Sequence, residues 1–425
     1  MFTFGKKFHI IVDDFSSSML EFVRTLLDRG PIASVLIVLT HWHSDHNKNI
    51  RAFLLKLCKI TGQNGFDPGR VRLISSEMTL RLARVSRELN PGRESERKVI
   101  LDAIGRHWVT VGFSKKPPWT NSSTASASTR IQHRCATHGT LTLTFYDSHH
   151  IPGSIMFSTD FDPPRVLPLY GPSAAPTRRY RSFFTGDYRL AHVATGTVHH
   201  RTVPPLDALY LDGLYHNRQL KFPPYKQCQL MVERLVDSLL REPTCDKVFV
   251  QSNLLGAARI LLSTASKLKI VTCLRHLDSY MQQQLQTVWQ DERPGPRVAK
   301  WDTYFRTGPL HDHTRCQLVL VSKSSALPNP TDTRYRSIHL SSMWFACGNN
   351  ARYLSDLPYF DPHKHCYRIA LSNHSTFNEN RSMIDRMSDS RTKVRLMGLP
   401  VGNLVCKYAK PKTPLKFVHD LQQTV

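Results

Sequence analysis

Three imidazoles and a carboxylate lie within six residues at His41, His43, Asp45 and His46, an H-x-H-x-D-H string that follows Thr40 directly. They are borderline ligands suited to Zn2+, which binds imidazole nitrogen at about 2.0–2.1 Å. The string closes an apolar run, Ser34 to Thr40 (SVLIVLT), and a loop has no structural reason of its own to collect such groups beside a buried strand. One ion needs about three protein ligands and an open position, whereas a pair needs several more and a bridging carboxylate. A tight loop can aim alternate side chains at two adjacent centres. The string can therefore seed a site for one or two Zn2+ ions, with Mg2+ or Mn2+ as alternatives at the second.

Further ligands are expected where other strands end, because the mouth of a layered α/β sheet is where ligands bind. Three places qualify. Leu141 to Tyr146 alternates as a strand and runs into Asp147-Ser148-His149-His150-Ile151-Pro152-Gly153; Phe183 to Thr185 leads into Gly186-Asp187; Arg368 to Leu371 leads into Ser372-Asn373-His374-Ser375-Thr376. Taken alone, His150 and His374 read more readily as loop or capping residues than as ligands, and Gly-Asp as common turn chemistry. The pairs His133/His138, His199/His200 and His311/His313 lack the strand-end context and read as surface histidines.

The elements that must position these groups alternate between strand and helix, which predicts an α/β fold. Phe8–Val12 and Ser34–Thr40 read as buried strands around a helix over Ser18–Arg29, and Val71–Ser75 as a strand entering a helix over Ser76–Leu89. Arg81, Arg84 and Arg87 share one face of that helix, read as solvated. Lys115–Thr129 and Asp162–Arg181 are Ser/Thr- or Pro-rich and read as long surface loops. From Pro223 a second α/β run begins, with helices over Gln227–Leu240 and Ala257–Leu268 and strands at Val248–Gln251, Ile270–Cys273 and Leu318–Ser322. The predicted division is a first domain over 1–221, an inserted domain over 222–362, and a return to the first over 363–425, with Arg368–Leu371 as a returning strand.

The chain has 425 residues with 57 Lys plus Arg against 33 Asp plus Glu, a net charge of +24, which points to a polyanionic partner. No uncharged apolar run reaches the roughly 18 residues of a membrane span, so no membrane is expected, and the start carries no secretory pattern. The nine cysteines are scattered without a C-x-x-C pair and read as reduced thiols of cytosol or nucleus.

In order along the chain, these segments resemble the metallo-β-lactamase superfamily, and within it the β-CASP nucleases, closest to the DNA cross-link repair and Artemis-type enzymes. The resemblance rests on Val12-Asp13-Asp14-Phe15, the histidine string, D-x-x-H-x-P-G at Asp147 to Gly153, Gly186-Asp187-Tyr188-Arg189, Leu209 to Asp212 with Tyr215 and Asn217, and S-x-H-S at Ser372 to Ser375. It covers nearly the whole chain. Lys393 to Val401 holds no histidine, unlike the third motif of RNA-processing members, and either Gly398 or Val401 stands where the family has valine. Three departures are Asn373 for the usual Glu, Asn47 for Tyr, and Leu255-Gly256-Ala257-Ala258 for an I-G-K-E-like string, which removes a lysine.

The resemblance implies an αββα sandwich with an inserted β-CASP α/β domain. It implies His41, His43 and His150 around one metal, Asp45, His46 and His374 around the other, and Asp187 bridging. Asp45, Asp187, Asp212 and His374 would serve catalysis, with Asp212 orienting a ligand histidine or handling a proton, and Asp13 supporting the ligands from behind. Ser372 and Ser375 are candidates for gripping a terminal phosphate. The implied activity is a metal-dependent 5′→3′ exodeoxyribonuclease of interstrand cross-link and double-strand-break repair, leaving 5′-phosphates. A structure-specific endonuclease of hairpins and overhangs is the alternative, followed by an RNA-processing nuclease or a non-catalytic nucleic-acid scaffold. Implied partners are DNA, as single strands or damaged ends with a 5′-phosphate, and repair-complex proteins. The enzyme is expected to be nuclear and monomeric, with Arg178–Arg181 and the basic tail Lys407–Lys416 as candidate import signals.

Overall fold

The computed structural model describes residues 1–4, 7–28, 34–62, 68–113, 130–135, 139–163, 178–189, 206–215, 220–292, 301–307, 316–322, 332, 334–346, 348–362 and 364–397. The stretch 115–129, most of 162–181, Asn217, Gly398, Val401, the tail 407–416 and the histidines at 138, 199, 200, 311 and 313 lie outside the described residues.

In the first sheet β1 (Phe2–Phe4) runs antiparallel to β2 (Phe8–Val12), and β3 (Ser34–Val38), β4 (Val71–Ser76) and β5 (Trp108–Val111) continue in parallel. Parallel strands are covered on both faces and so read as unbroken apolar runs. β3 shows this directly. Val35 and Ile37 belong to the apolar cluster with Leu20 and Val23 of α1 (Ser17–Asp28) and Phe53 and Leu57 of α2 (Ile50–Thr61), whereas Leu36 and Val38 face a second sheet. Helices α3 (Glu77–Arg84) and α4 (Glu94–His107) complete this side. Ser76 caps α3 by accepting from Thr79 N at 3.0 Å.

The second sheet is an antiparallel meander of β6 (Arg130–Cys135), β7 (Gly139–Asp147), β8 (Ile155–Asp162) and β9 (Tyr180–Phe184), after which β10 (Ala208–Asp212) lies parallel to β9. Its strands alternate strictly. Phe145, Phe157 and Phe184 meet Ile10, Leu36 and Ile74 between the two sheets, while Phe183, Leu209 and Leu211 point away from them.

A third sheet follows with its own helices: α5 (Tyr225–Leu240), β11 (Lys247–Ser252), α6 (Leu254–Leu268), β12 (Thr272–Cys273), α7 (Ser279–Glu292), α8 (Trp301–Tyr304), β13 (Phe305–Arg306), β14 (Leu318–Ser322), β15 (Tyr335–Leu340), α9 (Ser342–Ala346), β16 (Tyr359–Asp361) and β17 (Cys366–Ile369). Its strand order is β13-β12-β14-β11-β15-β17-β16, all parallel except the β16/β17 pair. The strand expected to return to the first domain therefore belongs to this sheet instead: β17 pairs with β15 from Ser337↔Cys366 to Leu340↔Ile369. The return comes after it, through α10 (Phe377–Met387) and β18 (Lys393–Met397), which lies parallel to β10. Met383, Ile384 and Met387 of α10 cover Leu209 and Leu211. The first and second sheets thus form a helix–sheet–sheet–helix stack, entered by a separate α/β unit between β10 and α10. Among the described residues the fold is mixed α/β with ten α-helices, and no helix is long and apolar enough to cross a membrane.

The predicted solvated face of α3 is only partly so. The helix ends at Arg84 rather than at Leu89, so Arg87 lies beyond it; Arg84 and Arg87 are exposed, but Arg81 pairs with Asp291 of α7 at 3.1 Å and ties the two α/β units together. His133 is half-buried in β6, not a surface histidine, and burial pushes it down to about 4.

Candidate metal centre

The ends of six strands meet at one place. Asp13 follows β2, His41, His43, Asp45 and His46 follow β3, His150 follows β7, Asp187 follows β9, Asp212 ends β10, and His374 follows β17. The turn at Gly186 has φ +54°, and a Cβ there would stand 3.2 Å from Thr40 Cγ2, so a glycine lets the Asp187 loop lie against the histidine loop. A reciprocal capping pair sets His374 two residues ahead of its helix: Thr376 Oγ1 accepts from Glu379 N, and Glu379 Oε2 accepts from Thr376 N at 2.7 Å.

The groups that can hold a metal fall into three overlapping triads: His41/His43/His150, His41/His46/Asp187 and His150/Asp187/His374. Asp187 Oδ2 is the shared centre, 3.0 Å from His46 Nε2, 3.6 Å from both His41 Nε2 and His150 Nε2, and 3.8 Å from His374 Nδ1. His43 Nδ1 is 3.1 Å from His41 Nε2 and 3.1 Å from His150 Nε2.

Hydrogen-bond partners fix which nitrogens face inward. The Thr40 hydroxyl donates to Asp13 Oδ2 at 2.6 Å, since a carboxylate only accepts, so at 3.0 Å it must accept from His41 Nδ1–H. His150 Nδ1–H donates to the Asn373 carbonyl at 3.0 Å. Both rings then present an unprotonated Nε2 to His43 Nδ1, and His43 can place a single proton among them. A cation is the natural partner for such converging lone pairs, and ligands at 2.0–2.1 Å around one tetrahedral ion stand roughly 3.3–3.4 Å apart. The residues present therefore fit a divalent ion.

Electrostatics divide the cluster in two. Burial pushes His41 and His150 well below the usual imidazole range and His43 down to about 3, leaving all three neutral and ready to ligate. Burial opposes charge on His46 too, but Asp13 and Asp187 outweigh it and hold that ring well above the ordinary value. At His374 burial is likewise overcome, by Asp212 and then Asp187, and the ring is raised to about 9. His374 Nδ1 donates to Asp212 Oδ2 at 2.9 Å, and Asp212 Oδ1 accepts from Leu214 N. Asp187 is depressed because His374 and His46 together outweigh its burial.

Asp45 stands apart from the triads. Its side chain is 77% exposed and its Oδ2 is 3.7 Å from His46 Nε2, at the mouth of the cluster rather than within it. Ser372 and Ser375 turn their hydroxyls to protein partners. Both are buried: the Ser372 hydroxyl donates to His374 O at 3.0 Å, and that of Ser375 to Asn380 Oδ1 at 3.0 Å, so both shape the His374 loop and neither is placed to grip phosphate.

Arg189 also has a positioning role, which its bare sequence context does not reveal. Fully buried, it donates through Nε to Glu379 at 3.0 Å and to the carbonyls of Ser372, Phe222 and Pro223 at 3.1, 2.9 and 3.2 Å, clamping the His374 loop to the start of the third-sheet unit. Asn253, at the head of α6, brings Nδ2 to 3.5 Å from His43 Nε2. Asn253 carries no motif of its own, and Arg189, although it closes the Gly186-Asp187-Tyr188-Arg189 segment, gains this role only once the chain closes around it.

A cleft of about 140 Å³ lined by His43, Tyr215, Asn253, Ser342 and His374 opens over the cluster, and a wider groove of about 680 Å³ passes Asp45, Asn47, Arg87 and Tyr280. No protein-family model and no curated protein matches this chain.

Proposed function

We propose that this protein is a metal-dependent nuclease that hydrolyses DNA phosphodiester bonds, acting as a 5′→3′ exonuclease in repair. The observation that carries the hydrolytic reading is the position of Asp187 Oδ2, within 3.0–3.8 Å of nitrogens of four histidines drawn from three loops. A carboxylate so placed is suited to lie between two cations. His41, His43 and His150 would hold one ion, and His46 and His374 would join Asp187 at a second. Bound there, divalent ions supply Lewis acidity that activates water and stabilises negative charge on a phosphate. Asp13 and Asp212 keep protons on the Nδ1 atoms of His46 and His374, and Thr40 and Asn373 do the same for His41 and His150, which holds the rings in one orientation.

The stack of two sheets between helices, entered by a separate α/β unit over the cluster, supports the finer reading of a metallo-β-lactamase sandwich with a β-CASP insertion. The net charge of +24 and the grooves at the junction favour nucleic acid over a small substrate. DNA over RNA, and a nuclear repair role, rest on the sequence resemblance.

A denaturing-gel time course on 3′-labelled single-stranded DNA tests this, with 5′-phosphate and 5′-hydroxyl ends and with chelator and Asp187→Ala controls. Stepwise shortening that prefers the 5′-phosphate and vanishes in both controls is expected. Internal cuts near junctions would replace the exonuclease by the hairpin- and overhang-cutting endonuclease, and intact DNA beside cleaved RNA would overturn the DNA assignment.

A further inference from the structure

Four of the clustered imidazoles have their outer nitrogen held by a fixed partner: His41 by Thr40, His46 by Asp13, His150 by the Asn373 carbonyl and His374 by Asp212. His43 differs. Its Nδ1 lies 3.1 Å from both His41 Nε2 and His150 Nε2 and is the inward atom, and among the described residues its outward Nε2 meets only the side-chain amide of Asn253, at 3.5 Å. Asn253 belongs to the third-sheet unit, at the head of α6. Asparagine is favoured at such a position because its side chain can accept from the first amides of the helix. This one does not. Its backbone is extended (φ −72°, ψ 107°) and its carbonyl accepts from Ala257 N at 3.0 Å to open the helix, yet its side chain caps nothing and is left to His43.

A neutral imidazole carries one proton, and the nitrogen that has it decides what each can bind. Without an ion the proton belongs on His43 Nδ1, where it meets the lone pairs of His41 Nε2 and His150 Nε2; Nε2 is then bare and accepts from Asn253 Nδ2–H. With a divalent ion among the three rings, Nδ1 turns its lone pair to that ion, the proton belongs on Nε2, and Nε2–H needs an acceptor. A half-turn of the amide puts Asn253 Oδ1 where Nδ2 was, and the terminal torsion of asparagine is broad enough to permit it. Gly256 keeps the space beside the amide open, since a Cβ there would come to 3.9 Å from Asn253 Cγ. The second bond is the stronger of the two, because an ion at Nδ1 draws charge from the ring and makes Nε2–H a better donor, so the amide favours the ion-bound arrangement. The same turn of α6 also reaches His150: Gly256 O accepts from Asn373 Nδ2 at 2.9 Å, and the Asn373 carbonyl holds His150 Nδ1.

We propose that Asn253 is a positioning residue for the metal centre, whose amide donates to His43 Nε2 in the metal-free protein and accepts from it once Nδ1 faces a divalent ion. The exchange leaves the ring neutral: one proton passes from Nδ1 to water and one is taken from water at Nε2, through the cleft that His43 and Asn253 line together. The third-sheet unit thereby supplies part of the metal affinity without supplying a ligand. The inference rests on the metal centre of the proposed function and is independent of which bond that centre cleaves.

The test uses the full chain, its histidines labelled with nitrogen-15, as wild type, Asn253→Ala, Asn253→Asp and Gln284→Glu, the last adding one charge in the neighbouring groove. Long-range proton–nitrogen spectra, in chelator and with Zn2+, read which nitrogen of His43 carries the proton, its signal assigned by its absence in His43→Gln. Chelator competition reads Zn2+ affinity. Wild type is expected to carry the His43 proton on Nδ1 in chelator and on Nε2 with Zn2+. Asn253→Ala is expected to lose about 10-fold in affinity, the low end for an outer partner of a ligating histidine, with an unchanged melting temperature in chelator because the lost side chain caps nothing. Asn253→Asp, which can only accept, is expected to show Nε2–H already in chelator and to bind Zn2+ more tightly than both wild type and Gln284→Glu. Affinity and proton position unmoved by either Asn253 variant overturn the proposal and leave the metal centre standing. A gain in Asn253→Asp no larger than that in Gln284→Glu, with the proton unmoved, reduces the effect to charge and overturns it as well. Wild type that binds no Zn2+ fails the metal centre itself, and the proposal with it.

Discussion

Asp13 receives the Nδ1–H of His46 at 2.8 Å although 33 residues of chain separate them. The same carboxylate accepts from Thr40 N at 2.8 Å and from Thr40 Oγ1 at 2.6 Å, so one acid at the end of β2 aligns both ends of the histidine string that follows β3. Asp13 itself has φ +49°, a conformation that Asn tolerates and Ala does not favour.

Substitution at this position should therefore weaken metal binding without touching a ligand. Asp13→Asn keeps the backbone and loses the charge, and outer partners of ligating histidines are typically worth 10–100-fold in metal affinity. A fall of about that size is expected in chelator competition, with Asp13→Ala falling further and melting earlier. Unchanged affinity in both variants would mean that the His46 ring is held by Asp187 alone.

The metal-free protein should be most stable near pH 6.5. His41, His43 and His150 are buried and neutral, with His43 held at about 3, so below the unfolded value of 6.5 the unfolded chain binds protons that the folded chain does not, and stability falls as pH falls. His46 and His374 work in the opposite sense. Their raised values give a contribution fully present below 6.5 that is lost as pH rises through about 9 for His374. Melting temperatures measured in chelator from pH 5 to 9 should trace a maximum between these two limbs. Zn2+ should lift the alkaline limb most, because ligation replaces the protons on His46 and His374, and calorimetry in buffers of different ionisation enthalpy should register their release above pH 7. A melting temperature that climbs steadily to pH 9 without metal would contradict the assignment.

Much of the cluster was legible in the sequence because its ligands sit just past strands whose apolar runs mark where those strands end. SVLIVLT predicts β3, and the string after it could hardly serve a loop; the ends of β7 and β9 follow by the same reasoning. What eluded that reading depends on contacts between distant segments. A strand such as Arg368 to Leu371 carries no label for the sheet it joins, and β17 pairs with β15 because the third sheet leaves that edge open. Ser372 and Ser375 have the chemistry of phosphate contacts, but a hydroxyl turned inward to a carbonyl or an amide is indistinguishable in sequence from one turned out. Arg189 is the converse: its donors serve a carboxylate and the carbonyls of two segments that meet only in the folded chain.

Asp45 should separate metal retention from catalysis. It lies at the mouth, 77% exposed, outside all three triads, while the His41/His43/His150 set is complete without it. Asp45→Ala is expected to keep at least half of the bound metal, measured by elemental analysis, while DNA cleavage falls by about 100-fold or more through loss of a group beside the second ion's position. A parallel loss of metal and activity would instead place Asp45 among the ligands of the first ion.

Gly256 and Asn373 join the third-sheet unit to the metal centre through a contact with no room to spare. Asn373 Nδ2 donates to Gly256 O at 2.9 Å, its backbone carbonyl orients His150, and a Cβ on residue 256 would stand 2.4 Å from Nδ2. Gly256→Ala must therefore displace Asn373, and overpacking of this kind costs about 1–3 kcal/mol. Because the displaced residue also holds His150 Nδ1, metal affinity should fall with stability, which a clash remote from the cluster would not cause. Asn373→Ala removes the obstructing amide, so the Gly256→Ala/Asn373→Ala pair should be less destabilised than the sum of the single changes. Melting and chelator competition on the four proteins of that cycle read both effects. Strict additivity would show that the α6 head and the His374 loop are not coupled through this contact, and that His150 keeps its orientation by the β7 loop alone.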